Sequence, residues 1–418
     1  MIHSTTTHPT THLTISAVYF SQSVAYRPLN DQVVSLTCVN IELSDGSIFK
    51  GDAALNSSDG LDIGDPNAIK DGLNQMLVGQ PADNFPALCQ LVDQGHFTTD
   101  QWRYPEPVTE TPEIQLKKNR RDILSALGVV KPRQLEKVLT PVESRFPNII
   151  IRGITAALLR AVAYTASKSI QELIQSELET TTATTKDLKL GLDVSFANHQ
   201  PFLSHVSALC YTVPAASDAQ GLGKTGEKFQ KYLRDLNSWI ADSWAKHDRA
   251  DRPWLFVDLN GAIHRLNNQA TGKTLGSLFG FSTTGNQEKM IFANPVENTT
   301  PLKTVNDMTL LQSLVKSRKL KIKLAAASNT HTSENVALWL DKCKPEIIVL
   351  KEAETANLGD LLDIIKQIMA HGTLFILVGG QSGNPRSWGL IHEIAASADP
   401  EFYIPAGGKH GFLDVVNR

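Results

Sequence analysis

The chain has 418 residues, of which 41% are hydrophobic, 20% charged and 7% aromatic. That supply of apolar side chains excludes a wholly disordered or fibrous chain, and the length fits two domains, one of them large. Lys plus Arg (40) against Asp plus Glu (43) leaves a net charge of -3, which gives no support to a nucleic-acid or membrane partner.

The first residues, MIHSTTTHPTTHL, lack the basic start and apolar core of a signal peptide. Leu13–Tyr19 and Val33–Ile41 are β-rich, and Ser44-Asp45-Gly46 turns the chain into a further strand over Ser47–Gly51. Helical periodicity follows over 67–78, 85–93, 113–128 and 131–139. The strongest helical signal is GITAALLRAVAYTASKSIQELIQSE, residues 153–177, which has no proline. Residues 1–180 therefore read as an α+β domain.

After Thr180 the rhythm changes. Short β-like runs at Leu190–Phe196, Trp254–Leu259, Met290–Ala293, Lys321–Ala326, Glu346–Leu350, Thr373–Val378 and Glu401–Ile404 alternate with helical or loop stretches. The helical stretches include Gly226–Ala245, Val305–Arg318, Ser333–Lys342, Asn357–Ala370 and Ser387–Ala398. Seven or so such units predict an α/β fold, a parallel (β/α) barrel over 181–418. The glycine fingerprint of a dinucleotide-binding sheet is missing. Gly221–Gly226 (GLGKTG) lacks the spacing of a phosphate loop and reads as a plain loop. Lys319, Lys321 and Lys323 alternate as on an outer or bottom face of the barrel.

Cys38, Cys89, Cys210 and Cys343 are too far apart for a zinc knuckle, a redox pair or a disulfide scaffold, and read as buried thiols in a reducing compartment. No apolar run reaches the roughly 18 residues that span a bilayer. A soluble cytoplasmic protein is the expectation.

In such a barrel, side chains at the C-terminal strand ends face the active site. That geometry selects Asp258, Asn294, Ala326 or Ala327, Lys351 and the loop Gly379-Gly380-Gln381-Ser382. Lys351 is a base if its basicity is lowered, a Schiff-base former, or a rim lysine with its head in water. Asp258 ends an apolar strand, where a carboxylate needs a metal, a cation or backbone donors; it equally suits an Asx-type bond over Asn260-Gly261. Asn294 precedes Pro295 and suits either a substrate carboxylate or that turn.

The chain resembles the methylaspartate ammonia-lyase family of the enolase superfamily over nearly its whole length. The resemblance rests on LSDGSIFKGDAA (43–54), IRGITAALLRAVAY (151–164), TGEKFQKYLRDLNSWI (225–240), FVDLNGAI (256–263), IVLKEAETANLGDL (348–361) and GGQSGNPRS (379–387), in that order and spacing. It implies a modified (β/α) TIM-like barrel with an N-terminal α+β capping domain, and a homodimer. It also implies abstraction of the proton beside a carboxylate, with the resulting enediolate held by magnesium on three strand-end carboxylates. The family's base matches Lys351 and its first metal carboxylate matches Asp258. The second carboxylate matches Asn294, and the third falls at or beside Ala326. A substrate-contacting glutamine matches Asn198, a polar pair matches Gln381 and Ser382, and a histidine falls near Ala215. His199 or His205 stands near enough to the first barrel strand to replace that histidine, and Asp193 is a further carboxylate there.

Asn294 and Ala326 at ligand positions weaken any magnesium site, so no cofactor is expected, although Asp258 still offers one carboxylate. Without the other two, Lys351 is expected to pair with Asp258, stay protonated and lose strength as a base. Three readings follow. The first is a C–N lyase, or related proton-abstracting enzyme, acting on a small amino dicarboxylate. It would use Lys351 and Asp258, with Asn198, His199, Asn294, Gln381 and Ser382 binding the substrate. The second is an isomerase, decarboxylase or cyclase built on Lys351. The third is a ligand-binding relative that no longer catalyses.

Overall fold

A computed structural model of the protein describes residues 13–27, 32–53, 65–103, 138–180, 188–193, 209–213, 219–246, 252–284, 289–379 and 385–405. The N-terminal part begins with an antiparallel meander, β1 (Ile15–Arg27), β2 (Gln32–Leu43) and β3 (Ile48–Ala53). Its second turn forms where Asp45-Gly46 predicts one: the Ser47 amide donates to Asp45 Oδ1 at 2.9 Å and Gly46 takes a φ of 84°.

Two helices follow close to their predicted places, Pro66–Leu77 capped by Asp65 and Phe85–Gln94 capped by Asn84, each with proline in its first turn. Candidate helix 131–139 is corrected at its end, where Val138 and Leu139 open β5 (Val138–Arg145), antiparallel to β4 (His96–Arg103). Pro141 removes a helix donor but is tolerated in a two-stranded ribbon. The rest of that candidate and all of 113–128 lie outside the described residues.

The strongest helical signal is two helices rather than one. Asn148–Thr165 and Ile170–Glu177 meet at a bend of 101°. The break is local chemistry: Ser167 adopts a φ of 52°, and Ser169 with Glu172 forms a reciprocal capping box that starts a new helix. Asn148–Thr165 is buried along most of its length and lies directly on β3. A Cβ placed on Gly51 would stand 1.7 Å from the carbonyl oxygen of Gly153, so helix and strand backbones touch there.

Eight parallel strands then close in chain order: β6 (Leu190–Asp193), β7 (Leu209–Val213), β8 (Trp254–Asp258), β9 (Met290–Ala293), β10 (Ile322–Ala326), β11 (Ile347–Lys351), β12 (Leu374–Val378) and β13 (Phe402–Ile404). The barrel is the fold the repeating β/α rhythm predicts. Its eighth member is β7, whose run LCYTV does not stand out in the sequence. The helix Thr271–Thr284 was likewise not anticipated, and Ser333–Lys342 is a short helix, Ser333–Leu338, closed by a π-turn over Trp339–Cys343.

The strands read as apolar runs because both faces are buried. One face, including Phe256, Ile291, Ala293, Ala325, Ala327, Val349 and Phe402, fills the barrel; the other packs under the helices. At the N-terminal end Glu401 pairs with Lys189 at 3.0 Å and Lys323 at 3.7 Å, and the Lys323 ammonium lies 4.6 Å from the Trp254 ring centroid. Lys323 thus serves the bottom of the barrel. All four cysteines are buried and none forms a disulfide. Among the described residues no single helix is long and apolar enough to cross a membrane.

The helix Leu358–Ala370 faces Phe85–Gln94 across a cleft of about 550 Å³, lined in part by Asp93, Glu177, Asp360 and Asp363. Burial, then the charges of Asp93 and Asp363, push the Asp360 carboxyl up to about 6 from 3.8. The folded state therefore holds this proton more tightly than the unfolded state. The penalty grows as pH rises from about 4 through 6 and is complete above that. Replacing Asp360 with Asn should raise unfolding free energy at pH 7 by up to about 1 kcal/mol, discounted for the exposure of the group. In urea titrations the gain should shrink toward zero below pH 4. Gly51→Ala, in contrast, should cost about 3 kcal/mol at either pH, because backbone atoms must separate to admit the methyl group.

Candidate active site

The C-terminal ends of β8 to β11 bring together three of the charged and polar residues selected from the sequence, Asp258, Asn294 and Lys351. Asp258 ends β8, Asn294 follows β9, Ala327 follows β10 and Lys351 ends β11. Asp258 Oδ2 lies 3.0 Å from Lys351 Nζ. Asp258 Oδ1 accepts the Asn260 amide at 3.1 Å, the Asx-type bond weighed above, and faces Asn294 Nδ2 at 3.5 Å, the outer limit of a hydrogen bond. Both readings of Asp258, ion-pair partner and turn-former, therefore hold at once.

Asn294 is buried and ties three strand ends together. Its Oδ1 accepts the Ala327 amide at 2.9 Å, which fixes the amide orientation and aims Nδ2 at Asp258. Its own N–H donates to Ala325 O at 3.1 Å, and its carbonyl accepts the Gly261 N–H at 2.8 Å. This geometry requires a left-handed backbone, with a φ of 47°, which asparagine tolerates better than most residues.

Lys351 has a second carboxylate partner, Glu354 Oε1 at 3.4 Å. Burial, the largest single influence, pushes the ammonium toward neutrality. The charges and hydrogen bonds of Asp258 and Glu354 together outweigh it, and the net effect is to raise the Lys351 pKa above its ordinary value. At neutral pH the resting site therefore holds a cation flanked by two carboxylates.

Of the alternatives Ala326 and Ala327, the structure corrects the choice to Ala327. Strand alternation places Ala326 on the outer face, packed with the helix-facing core, while Ala325 and Ala327 belong to the interior cluster. The position that the resemblance gives to the family's third carboxylate is an alanine on either assignment, so β10 brings no side-chain oxygen to the site. Asn198, His199, His205, Ala215, Gln381 and Ser382 lie outside the described residues. Asp193 ends β6, and only its backbone is described. The Gly221–Gly226 loop has no amides to spare for phosphate at Lys224 and Thr225. The Glu227 carboxylate takes both, at 3.1 and 2.8 Å, and these backbone bonds hold its pKa down at about 2.

Two residues near Lys351 were not singled out from the sequence. Glu354 was detectable as a carboxylate three positions after Lys351, once a helical turn follows the strand. Arg152 was not: it comes from the helix Asn148–Thr165, about 200 residues away in sequence. It meets the 3₁₀ turn Glu352–Glu354, with Nε 3.0 Å from Glu352 Oε1.

The sequence model described as Methylaspartate ammonia-lyase C-terminus matches residues 189–409, more than half of the chain. The chain belongs to the methylaspartate ammonia-lyase family. The structure of methylaspartate ammonia lyase from Citrobacter amalonaticus containing (2S,3S)-3-methylaspartic acid superposes with a TM-score of 0.69 at 15% identity, covering 97% of this chain and 98% of that one. The magnesium complex of β-methylaspartase from Clostridium tetanomorphum gives 0.68 at 16% identity, covering 97% and 96%. Muconate lactonizing enzyme from Pseudomonas putida gives 0.56 at 14% identity, covering 94% and 87%. At these identities the structural likeness speaks for the fold alone, a parallel (β/α) barrel with an N-terminal α+β part. No curated protein matches the sequence.

Among the described residues, the donor set of this site does not fit the magnesium ion named for the Clostridium relative. Asn294 turns its amide nitrogen, not its oxygen, toward Asp258, and Asp258 is engaged by Lys351. The interior alanines of β10 offer nothing. Among the described residues no group of three or more His, Cys, Asp or Glu side chains is placed to hold a metal.

Replacing Asn294 with Ala should cost about 2–3 kcal/mol in chemical denaturation. The buried Ala327 amide would lose its acceptor, and alanine would have to occupy the left-handed backbone.

Proposed function

We propose that the chain is an enzyme of the lyase or isomerase kind acting on a small carboxylic acid. Within that class, it handles an amino dicarboxylate by proton transfer at Lys351 without a resident metal. The observation that supports this most is the Lys351–Asp258–Asn294 network at the barrel mouth.

A substrate carboxylate needs a cation, and the Lys351 ammonium supplies one. A substrate ammonium group needs an anion, and Asp258 supplies it. Entry of an amino dicarboxylate exchanges one ion pair for two: the substrate carboxylate meets the Lys351 ammonium and the substrate ammonium meets Asp258. Lys351 then passes one proton to Glu354 or water, a step that burial favours and the neighbouring carboxylates oppose. The freed amine is positioned to take the proton beside the substrate carboxylate. Loss of ammonia from the carbanion gives an unsaturated diacid, and return of the proton elsewhere gives an isomer. The Asn294 amide N–H group faces the same space and adds a neutral donor for developing negative charge.

A second reading rests on the charge of the resting lysine. If no ligand separates Lys351 from Asp258, the site binds carboxylates without turning them over.

Purified protein given 3-methylaspartate should show the rising ultraviolet absorbance of the unsaturated diacid, at a rate unchanged by EDTA or added magnesium. Lys351→Ala should lower that rate by about 100-fold or more. A rise that needs magnesium would overturn the metal-free mechanism. No rise, with calorimetric binding of the diacid, would favour the binding-only reading.

A further inference from the structure

Lys351 and Glu354 lie at opposite ends of a single 3₁₀ turn, and contacts from the N-terminal part hold that turn. Arg152 Nη2 lies 3.0, 2.8 and 3.0 Å from the carbonyl oxygens of Glu352, Ala353 and Thr355, and Arg152 Nε lies 3.0 Å from the Glu352 carboxylate. One guanidinium therefore meets the carbonyls of three of the four residues Glu352–Thr355. One helical turn further along, Thr155 Oγ1 accepts the Leu358 amide at 3.3 Å. From the neighbouring helix, Cys89 O accepts Asn357 Nδ2 at 3.0 Å. The loop between β11 and the helix Leu358–Ala370 is thus pinned at both ends by residues from outside the barrel. The helix that carries Arg152 has a fixed seat, because Gly51 and Gly153 bring strand and helix backbones into contact.

We propose that Arg152 is a positioning residue for the candidate active site: by gripping the Glu352–Thr355 turn it places the Glu354 carboxylate against the Lys351 ammonium. The inference deepens the proposed function, since it matters for catalysis only if Lys351 is the reactive group. The grip itself is testable without any substrate. Arg152 is suited to the task because its planar fork serves several acceptors at once, which a lysine ammonium does not reproduce at this spacing. Glu354 is the freer partner, at 41% side-chain exposure against 10% for Glu352, so its position depends on the turn that carries it.

The test is the rate at which acetic anhydride acylates Lys351 in the full-length protein at one fixed pH. Peptide mass spectrometry reads it relative to the exposed Lys319. Four variants are compared with the wild type: Glu354→Gln, Arg152→Gln, the double variant and Arg152→Lys. Glu354→Gln should speed acylation of Lys351 about two- to fivefold, the range expected from losing a partly exposed ion pair. Arg152→Gln should give a rise of similar size, although Arg152 does not touch the lysine. The double variant should react no faster than Glu354→Gln alone, because both changes remove the same contact. Arg152→Lys should fall between wild type and Arg152→Gln.

Unchanged acylation in Arg152→Gln would overturn the proposal. So would a double variant in which the two effects multiply. If circular dichroism shows that Arg152→Gln does not fold, Arg152→Lys decides: a rise supports the grip and wild-type reactivity overturns it. Absence of ammonia-lyase turnover leaves every one of these readings intact, so failure of the functional assignment and failure of the positioning role give different results.

Discussion

Closing eight parallel strands into a ring removes every sheet edge and directs all eight C-terminal ends to one mouth. Residues more than 90 positions apart, Asp258 and Lys351, become neighbours at 3.0 Å because β8 and β11 belong to the same closed register. The fold itself makes few demands on what those strand ends carry. The barrel is stabilised by its two buried faces and by the ion cluster at its bottom, so the upper ends are free to change chemistry without loss of architecture.

That freedom has been used here. The family's arrangement, as the sequence resemblance implies it, gathers negative oxygens around an ion. By that resemblance one such carboxylate, Asp258, is kept in this chain, and an amide and an alanine stand where the other two are expected. Removing anions while keeping a lysine reverses the electrostatic balance. The cation is now a side chain, and the remaining carboxylates gather around it. Asn294 also shows how an amide at such a position is redeployed, since it joins three strand ends through its oxygen, its N–H and its carbonyl. The same residue that removes a ligand adds rigidity to the mouth.

How much of this was legible in the sequence differed from element to element. The barrel was visible because strands buried on both faces leave apolar runs that alternate with helical stretches. LCYTV was overlooked as a strand because five residues with a cysteine and a tyrosine carry no periodicity to separate them from a loop. The long N-terminal helix read as continuous because apolar spacing persists through the bend; the S-x-x-E pattern at Ser169 and Glu172 marked the break, but apolar content outweighed it. Asp258 and Lys351 were found because position on a strand end is itself a signal. Ala326 and Ala327 could not be told apart, because sequence alone sets neither the phase of the pleat nor where the strand stops. Arg152 was invisible, since nothing local in IRGITAALL distinguishes a surface arginine from one that reaches another part of the fold.

The contact between Gly51 and Gly153 has a mechanical consequence. Where backbones touch with no side chain between them, the joint has almost no compliant material: no rotamer can adjust, and no methylene can be compressed or slide. A displacement of β3 is therefore transmitted to the helix at nearly its full amplitude, and Arg152, the residue next to the contact, moves with it. In most packed interfaces interdigitated side chains act as a cushion that absorbs small shifts. Here the cushion is thin where the helix also reaches the loop beside the lysine, so a shift of the meander would reach the barrel mouth with little loss.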